Sequence, residues 1–296
     1  MKKIILLCLI IGSVACHKNS NVATESVKET NLDEQKIQLK QVWATDSIFK
    51  TPESVIYDKA KEMLYIANVN MNPWEKDGNG FISKVNTDGT IAELEWITGL
   101  HGPKGMGIIG SSLYVNDIDE VVKINTGTGD IINRYQVTDE NSNLNDITVG
   151  DNGTLYISGS GNQTVYQLLD GKIEVLISGD LGRPNGLWYE NGDLFILGNV
   201  DNILKSLKLE SNTLTNLTEG IGSADGMIAT GNGDYVISDW QGQLFHISQS
   251  WKLTTLLDTR EENINAADIE YIPEKDLLLV PTFNDNRVVA YSLYKE

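Results

Sequence analysis

The 296-residue sequence predicts an all-β fold, a six-bladed β-propeller closed by an N-terminal strand, on two observations. First, a short motif recurs: a polar residue, then a small or acidic one, then the apolar start of a strand. Its copies are Glu53-Ser54-Val55, Lys104-Gly105-Met106, Asn145-Asp146-Ile147, Asn185-Gly186-Leu187, Asp225-Gly226-Met227 and Ala267-Asp268-Ile269. Successive copies lie 51, 41, 40, 40 and 42 residues apart, about the length of one four-stranded blade, so six copies mean six blades. Second, the last repeat is one strand short, while the segment 37–48 precedes the first motif with no blade of its own. Supplying the missing strand from that segment closes the ring and removes the open sheet edge.

The N-terminus comes first in chain order. Met1-Lys2-Lys3 is basic, Ile4 to Gly12 is apolar, and Ser13-Val14-Ala15-Cys16 is a small-residue cleavage site. The apolar run is too short for a spanning helix, which needs about 20 residues, so 1–15 reads as a cleavable signal peptide. Val14-Ala15-Cys16 resembles a bacterial lipobox, which makes Cys16 the candidate lipidation site; the alternative is an ordinary secretory signal with an incidental cysteine. Residues 16–36 are polar and aperiodic and read as a tether, leaving 37–296 as the propeller domain. This predicts a lipid-anchored, extracytoplasmic protein of the bacterial cell envelope, in the periplasm or at the outer membrane, touching the membrane only through its lipid. Cys8 leaves with the leader and Cys16 carries the lipid, so no thiol remains for a disulfide, a zinc cluster or a nucleophile. The net charge of -18 repels phosphate backbones, which argues against nucleic acid, and the chain is expected to be a monomer.

Within each repeat a second β-rich run follows the motif by about ten residues, as in Leu64-Tyr65-Ile66-Ala67 and Leu194-Phe195-Ile196-Leu197. Turn residues such as Asn191-Gly192 join the two. Because every motif opens the innermost strand of its blade, all six lie on one face of the ring, and the loops after each second strand return to that face. The excess in the first spacing is the loop 70–80, so this loop and its Trp74 should overhang the channel mouth. Trp188, Trp240 and Trp251 are expected to pack within and between blades. Asp77-Gly78-Asn79-Gly80 lacks the downstream glutamate of a calcium loop and reads as a turn. Lys104 lies between glycines but no Ser or Thr follows it and a strand comes next, which is not a phosphate loop.

Taken around the ring, the first motif positions are Glu53, Lys104, Asn145, Asn185, Asp225 and Ala267 with Asp268 behind it. Carboxylates and amides converging without histidine or cysteine form an oxygen set suited to a hard cation. His101 and His246 are isolated, so nucleophilic catalysis of the Ser-His-Asp kind has no support.

In Pro52-Glu53, Arg183-Pro184-Asn185-Gly186-Leu187 and Ala224-Asp225-Gly226-Met227 the sequence resembles the family of senescence marker protein (regucalcin), gluconolactonase and related lactonase propellers. The resemblance implies that Glu53, Asn185 and Asp225 hold one divalent cation, Ca²⁺, Mg²⁺, Mn²⁺ or Zn²⁺. It also implies that Asp225 or Glu53 acts as general base, and that Asn145 contacts metal or substrate. The family's substrate-gripping arginine falls on Asn143, which offers no guanidinium. Lys104 adds a cation to the ring that would contact substrate or pair with Glu53. The function expected is a divalent-metal-dependent lactonase-like hydrolase opening a cyclic ester of a sugar acid or similar small molecule, with Glu53 and Asp225 catalytic and Asn145, Lys104 and Trp74 binding substrate. Alternatives are a non-catalytic propeller lipoprotein that binds a small molecule or a protein partner, and a lyase acting on a cyclic ester with other residues on the same scaffold.

Overall fold

Each repeat forms a four-stranded antiparallel sheet in the computed structural model, which describes residues 37–231 and 233–295. The signal peptide, Cys16 and the tether lie outside the described residues. Blades 1 to 5 occupy 52–100, 103–136, 144–178, 184–219 and 224–258, each running from an innermost strand A to an outermost strand D in chain order. Blade 6 takes three strands from the C-terminus, Glu270–Ile272, Leu277–Pro281 and Val288–Lys295. Its fourth is Ile37–Ala44, antiparallel to the last, with Ile37 opposite Lys295 and Ala44 opposite Val289. The ring is therefore closed as the sequence predicts. Among the described residues no helix is long and apolar enough to cross a membrane.

Side-chain alternation explains why the second strands are apolar throughout. In a strand, successive side chains point to opposite faces. Leu64 and Ile66 accordingly pack against Leu279 and Ala290 of blade 6, while Tyr65 and Ala67 pack against Met106 and Leu113 of blade 2. Strand B is covered on both sides and needs apolar residues at every position. Outermost strands such as Lys172–Ser178 are buried at no position, and their sequences are mixed. Between the A and B strands of blade 4, Asn191 and Gly192 both take positive φ, 53° and 86°, the two-residue turn their side chains favour.

The motifs sit at an irregularity. In blades 1 to 5 the pairing of strand A with strand B slips at the motif, between Pro52 and Ser54, Pro103 and Met106, Leu144 and Ile147, Pro184 and Leu187, and Ala224 and Met227. A bulge bends the strand and re-aims side chains. In blade 6 strand A is only three residues long and Ala267-Asp268 precede it. Asp268 instead bridges in parallel to Ser54 of blade 1, its N–H donating to the Glu53 carbonyl at 3.0 Å.

Candidate functional site

The loops that lead into the motifs are tied down before the motif begins. Asn68 and Asp117, at the ends of the B strands in blades 1 and 2, accept hydrogen bonds from Lys50 N at 3.0 Å and from His101 N and Gly102 N at 2.9 and 2.8 Å. Asp239 does the same for Ser223 N in blade 5 at 3.0 Å. Neighbouring blades are cross-linked one layer on: the Ser160 hydroxyl donates to Pro184 O at 2.6 Å and Asn185 Nδ2 to Ala224 O at 3.2 Å. Each motif side chain therefore projects from a backbone fixed on both sides.

Glu53, Lys104, Asn145, Asn185 and Asp225, from blades 1 to 5, line a single cavity of about 380 Å³ at the channel mouth. All five are buried. Pro73 and Trp74 of the 70–80 loop reach its wall, so that loop does overhang the mouth. Ala267 and Asp268 do not line it; Asp268 lies deeper and accepts from the Ser54 hydroxyl at 2.7 Å.

Two buried oxygens in this cavity have no partner, Glu53 Oε2 and Asn185 Oδ1. Asn185 uses its amide Nδ2 to donate to Asp225 Oδ1 at 2.9 Å, which leaves its own oxygen free. Burial, and then the charge of Asp225, hold the Glu53 carboxyl well above the usual range. Burial and the charge of Asp146 push Asp225 up to about 8 against the hydrogen bond from Asn185. Carboxylates placed together out of water resist ionising without a cation between them. The charge of Lys104 offsets this for Glu53 only in part. Its ammonium donates to Pro73 O at 2.7 Å and Gly102 O at 3.0 Å and stands 3.9 Å above the Trp74 ring, and among the described residues it makes no ion pair. Burial lowers it to about 8, opposed by the charge of Glu53.

Among the described residues no three His, Cys, Asp or Glu side chains come together to hold a metal, so a cation at this mouth needs the amide oxygen as a third donor. The donor set fits one: an orphaned carboxylate oxygen, an orphaned amide oxygen and Asp225 hydrogen-bonded beside them, all oxygen and all buried.

The cavity also holds residues the sequence reading did not assign: Arg183, Asn199, Gln241 and Phe283. Phe283 and Gln241 lie in loops that follow B strands, the register that placed Trp74 at the mouth, so the same topological argument reaches them. Trp240 departs from its expected packing role. It is 37% exposed, lines the mouth, and meets Phe283 edge-on with centroids 5.7 Å apart. Trp188 and Trp251 do pack between blades, Trp251 stacking on Tyr235. Asp77 accepts from Asn79 N at 3.2 Å, as a turn residue does.

No family model matches the chain, and no curated protein matches it in sequence. Solved structures do resemble it in fold. A streptogramin B lyase superposes with a TM-score of 0.64 at 14% identity, over 88% of this chain and 98% of that one. A catalytically inactive histidine-to-alanine variant of virginiamycin B lyase from Staphylococcus aureus, solved with quinupristin, gives 0.62 at 13%, over 88% and 100%. A chain of a nidogen/laminin complex gives 0.63 at 15%, over 74% and 84%. At these identities the likeness shows the six-bladed propeller fold alone.

Proposed function

We propose that this chain is a divalent-cation-dependent hydrolase that opens a small cyclic ester at the channel mouth, held at the bacterial cell envelope through a lipid on Cys16. The observation that carries the reading is the pair of unpartnered buried oxygens, Glu53 Oε2 and Asn185 Oδ1, in the cavity that also contains Asp225. Buried acceptors without partners cost stability, and two that share one cavity with the Asp225 carboxylate support a ligand there. The motif likeness to senescence marker protein and gluconolactonase propellers points the same way, with Ca²⁺, Mg²⁺, Mn²⁺ or Zn²⁺ as the cation.

Glu53, Asn185 and Asp225 would hold the cation. Bound there, it would supply polarisation of the ester carbonyl and of a water. Asp225 accepts the water proton as the water oxygen bonds to the carbonyl carbon; the ring C–O bond then breaks and the proton passes to the departing alkoxide, giving a hydroxy acid. Asn145 and the third N–H of Lys104 serve the substrate's oxygens, and Trp74 covers Lys104 and excludes water from it.

A lyase reading draws on the fold likeness, but in the virginiamycin B lyase loss of one histidine inactivates the enzyme, and no histidine among the described residues lines this cavity. His101 instead accepts from Gly78 N at 3.0 Å through Nδ1. Titrimetric assay of lactones under each cation in turn tests the proposal: turnover should disappear on chelation and in Asp225→Ala. Binding without turnover under any cation would leave a non-catalytic binding propeller, and turnover undiminished in Asp225→Ala would show that the base is misassigned.

A further inference from the structure

The charge around the mouth is unlike that of the rest of the molecule. The chain carries 41 acidic against 23 basic residues, yet the charged groups lining the cavity are two carboxylates, Glu53 and Asp225, and two cations, Lys104 and Arg183. A divalent cation held as proposed above would make the lining doubly positive. Such a cavity in an acidic surface selects an anion.

Arg183 is the group placed to read that anion. Lys104 is buried and spends two of its donors on backbone carbonyls. Arg183 is exposed at the rim, and its guanidinium makes one hydrogen bond, from Nη1 to the neutral Asn199 Oδ1 at 3.2 Å. Among the described residues it has no ion-pair partner within 4 Å. The Nε and Nη2 edge stays open, a planar two-donor fork that matches a carboxylate.

The backbone beneath it shows that the arginine is not there for its conformation. Arg183 has φ of 58°, a left-handed geometry that favours Gly, Asn or Asp over a long side chain. The position two residues before the motif has the same geometry in blades 1 and 3, where Thr51 and Asn143 stand at 47° and 45°. An asparagine therefore serves the fold at this place, and arginine adds only its head group. The segment is held firmly: Asn199 N donates to Arg183 O at 3.1 Å, Val200 N to Gly182 O at 3.0 Å, and Lys205 Nζ to Leu181 O at 3.3 Å. Gly182 has φ of 70°, and a Cβ on it would lie 2.1 Å from the Asp201 carboxyl carbon, so any other residue there would have to displace that side chain. A preorganised backbone spares the ordering cost of binding. Trp240 and Phe283 line the same cavity and give it an apolar wall.

We propose that Arg183 is a specificity-determining residue that pairs with an ionised carboxylate on the ligand, so that the substrates of this site are cyclic esters carrying a carboxylate in addition to the ring ester. This rests on the proposed function for the ester and for the cation that makes the lining positive, while the open edge of Arg183 stands without it. The test uses the full chain with Mn²⁺ and two probes, a five-membered lactone bearing a carboxylate and its methyl ester, followed by calorimetry and by fluorescence of the mouth tryptophans. Wild type should bind the carboxylate form about tenfold more tightly than the ester, the equivalent of one charge-assisted pair. Arg183→Gln should remove that preference, and Arg183→Lys should restore part of it. A Mn²⁺-induced rise in melting temperature retained in both variants would show that they fold and keep the cation site. Equal binding of the two probes by wild type, binding of neither, or a preference that survives in Arg183→Gln overturns the proposal. Preference without turnover would keep Arg183 and discard the hydrolase; turnover of both probes alike would do the reverse.

Discussion

The channel mouth and the layer beneath it are both lined from the innermost strands, and burial pushes the carboxyls of both upward, yet they differ in their hydrogen bonds. At the mouth, first-position side chains leave Glu53 Oε2 and Asn185 Oδ1 without partners. Deeper in the channel the carboxylates are satisfied. Asp146 accepts from Leu187 N and Ile147 N at 2.6 Å each, Asp268 from the Ser54 hydroxyl, and Glu270 from Tyr57 N at 3.2 Å and Tyr271 N at 2.8 Å. These bonds join blade 3 to blade 4 and blade 6 to blade 1. The deep carboxylates are staples of the ring, whereas at the mouth one carboxylate oxygen and one amide oxygen are without partners among the described residues.

The largest effect that would sharpen this contrast is on cation affinity. Asp225→Ala and Asn185→Ala should each weaken Mn²⁺ binding by more than the roughly 10–100-fold that outer-sphere partners cost, read by calorimetry. Glu270→Ala should leave that affinity as it is. Its cost falls on the fold: two buried N–H groups lose their acceptor, which should lower unfolding stability by about 2–4 kcal/mol in denaturant titration. A loss of Mn²⁺ affinity in Glu270→Ala matching that in Asp225→Ala would erase the distinction between the mouth and the layer beneath it.

A smaller effect comes from pH. Burial pushes Glu270 up to about 7 from an ordinary value of 4.5, against its two backbone hydrogen bonds. The folded state thus binds the proton more tightly than the unfolded chain. The stability this contributes is fully present below about pH 4.5, is lost as pH rises through about 7, and is constant above that. The loss should be on the order of 3 kcal/mol, and Glu270→Gln should flatten that part of the melting-temperature profile. The smallest effect expected is none: Asp77→Ala should leave cation binding unchanged, because Asp77 serves a turn.

The sequence makes the blade count, the ring closure and the mouth position of Glu53, Lys104, Asn145, Asn185 and Asp225 legible, because a repeat of about 40 residues fixes where each innermost strand begins. It does not make the bulges legible. A bulge is a mismatch between two strands, and neither strand carries it alone. Pairing is likewise hidden: Asp146 and Asp225 are both acidic residues in the same motif, and only the backbone N–H of Leu187, some forty residues from Asp146, makes one of them structural. Lys104 could equally have faced Glu53 as an ion pair, and it was the carbonyl of Pro73, in a loop with no repeat to place it, that drew it away. Arg183 stood in a recognised motif, but its role depends on an open guanidinium edge and a left-handed backbone, which are properties of the folded chain.

Anomalous diffraction from crystals of the protein grown with Mn²⁺ tests the central claim most directly. The account predicts one Mn²⁺ peak at the mouth, within roughly 2.0–2.6 Å of Glu53 Oε2, Asn185 Oδ1 and an Asp225 oxygen, the range of oxygen ligands to such ions. A peak among Asp146, Asp268 and Glu270 instead, or no peak in the channel at saturating Mn²⁺, would contradict it.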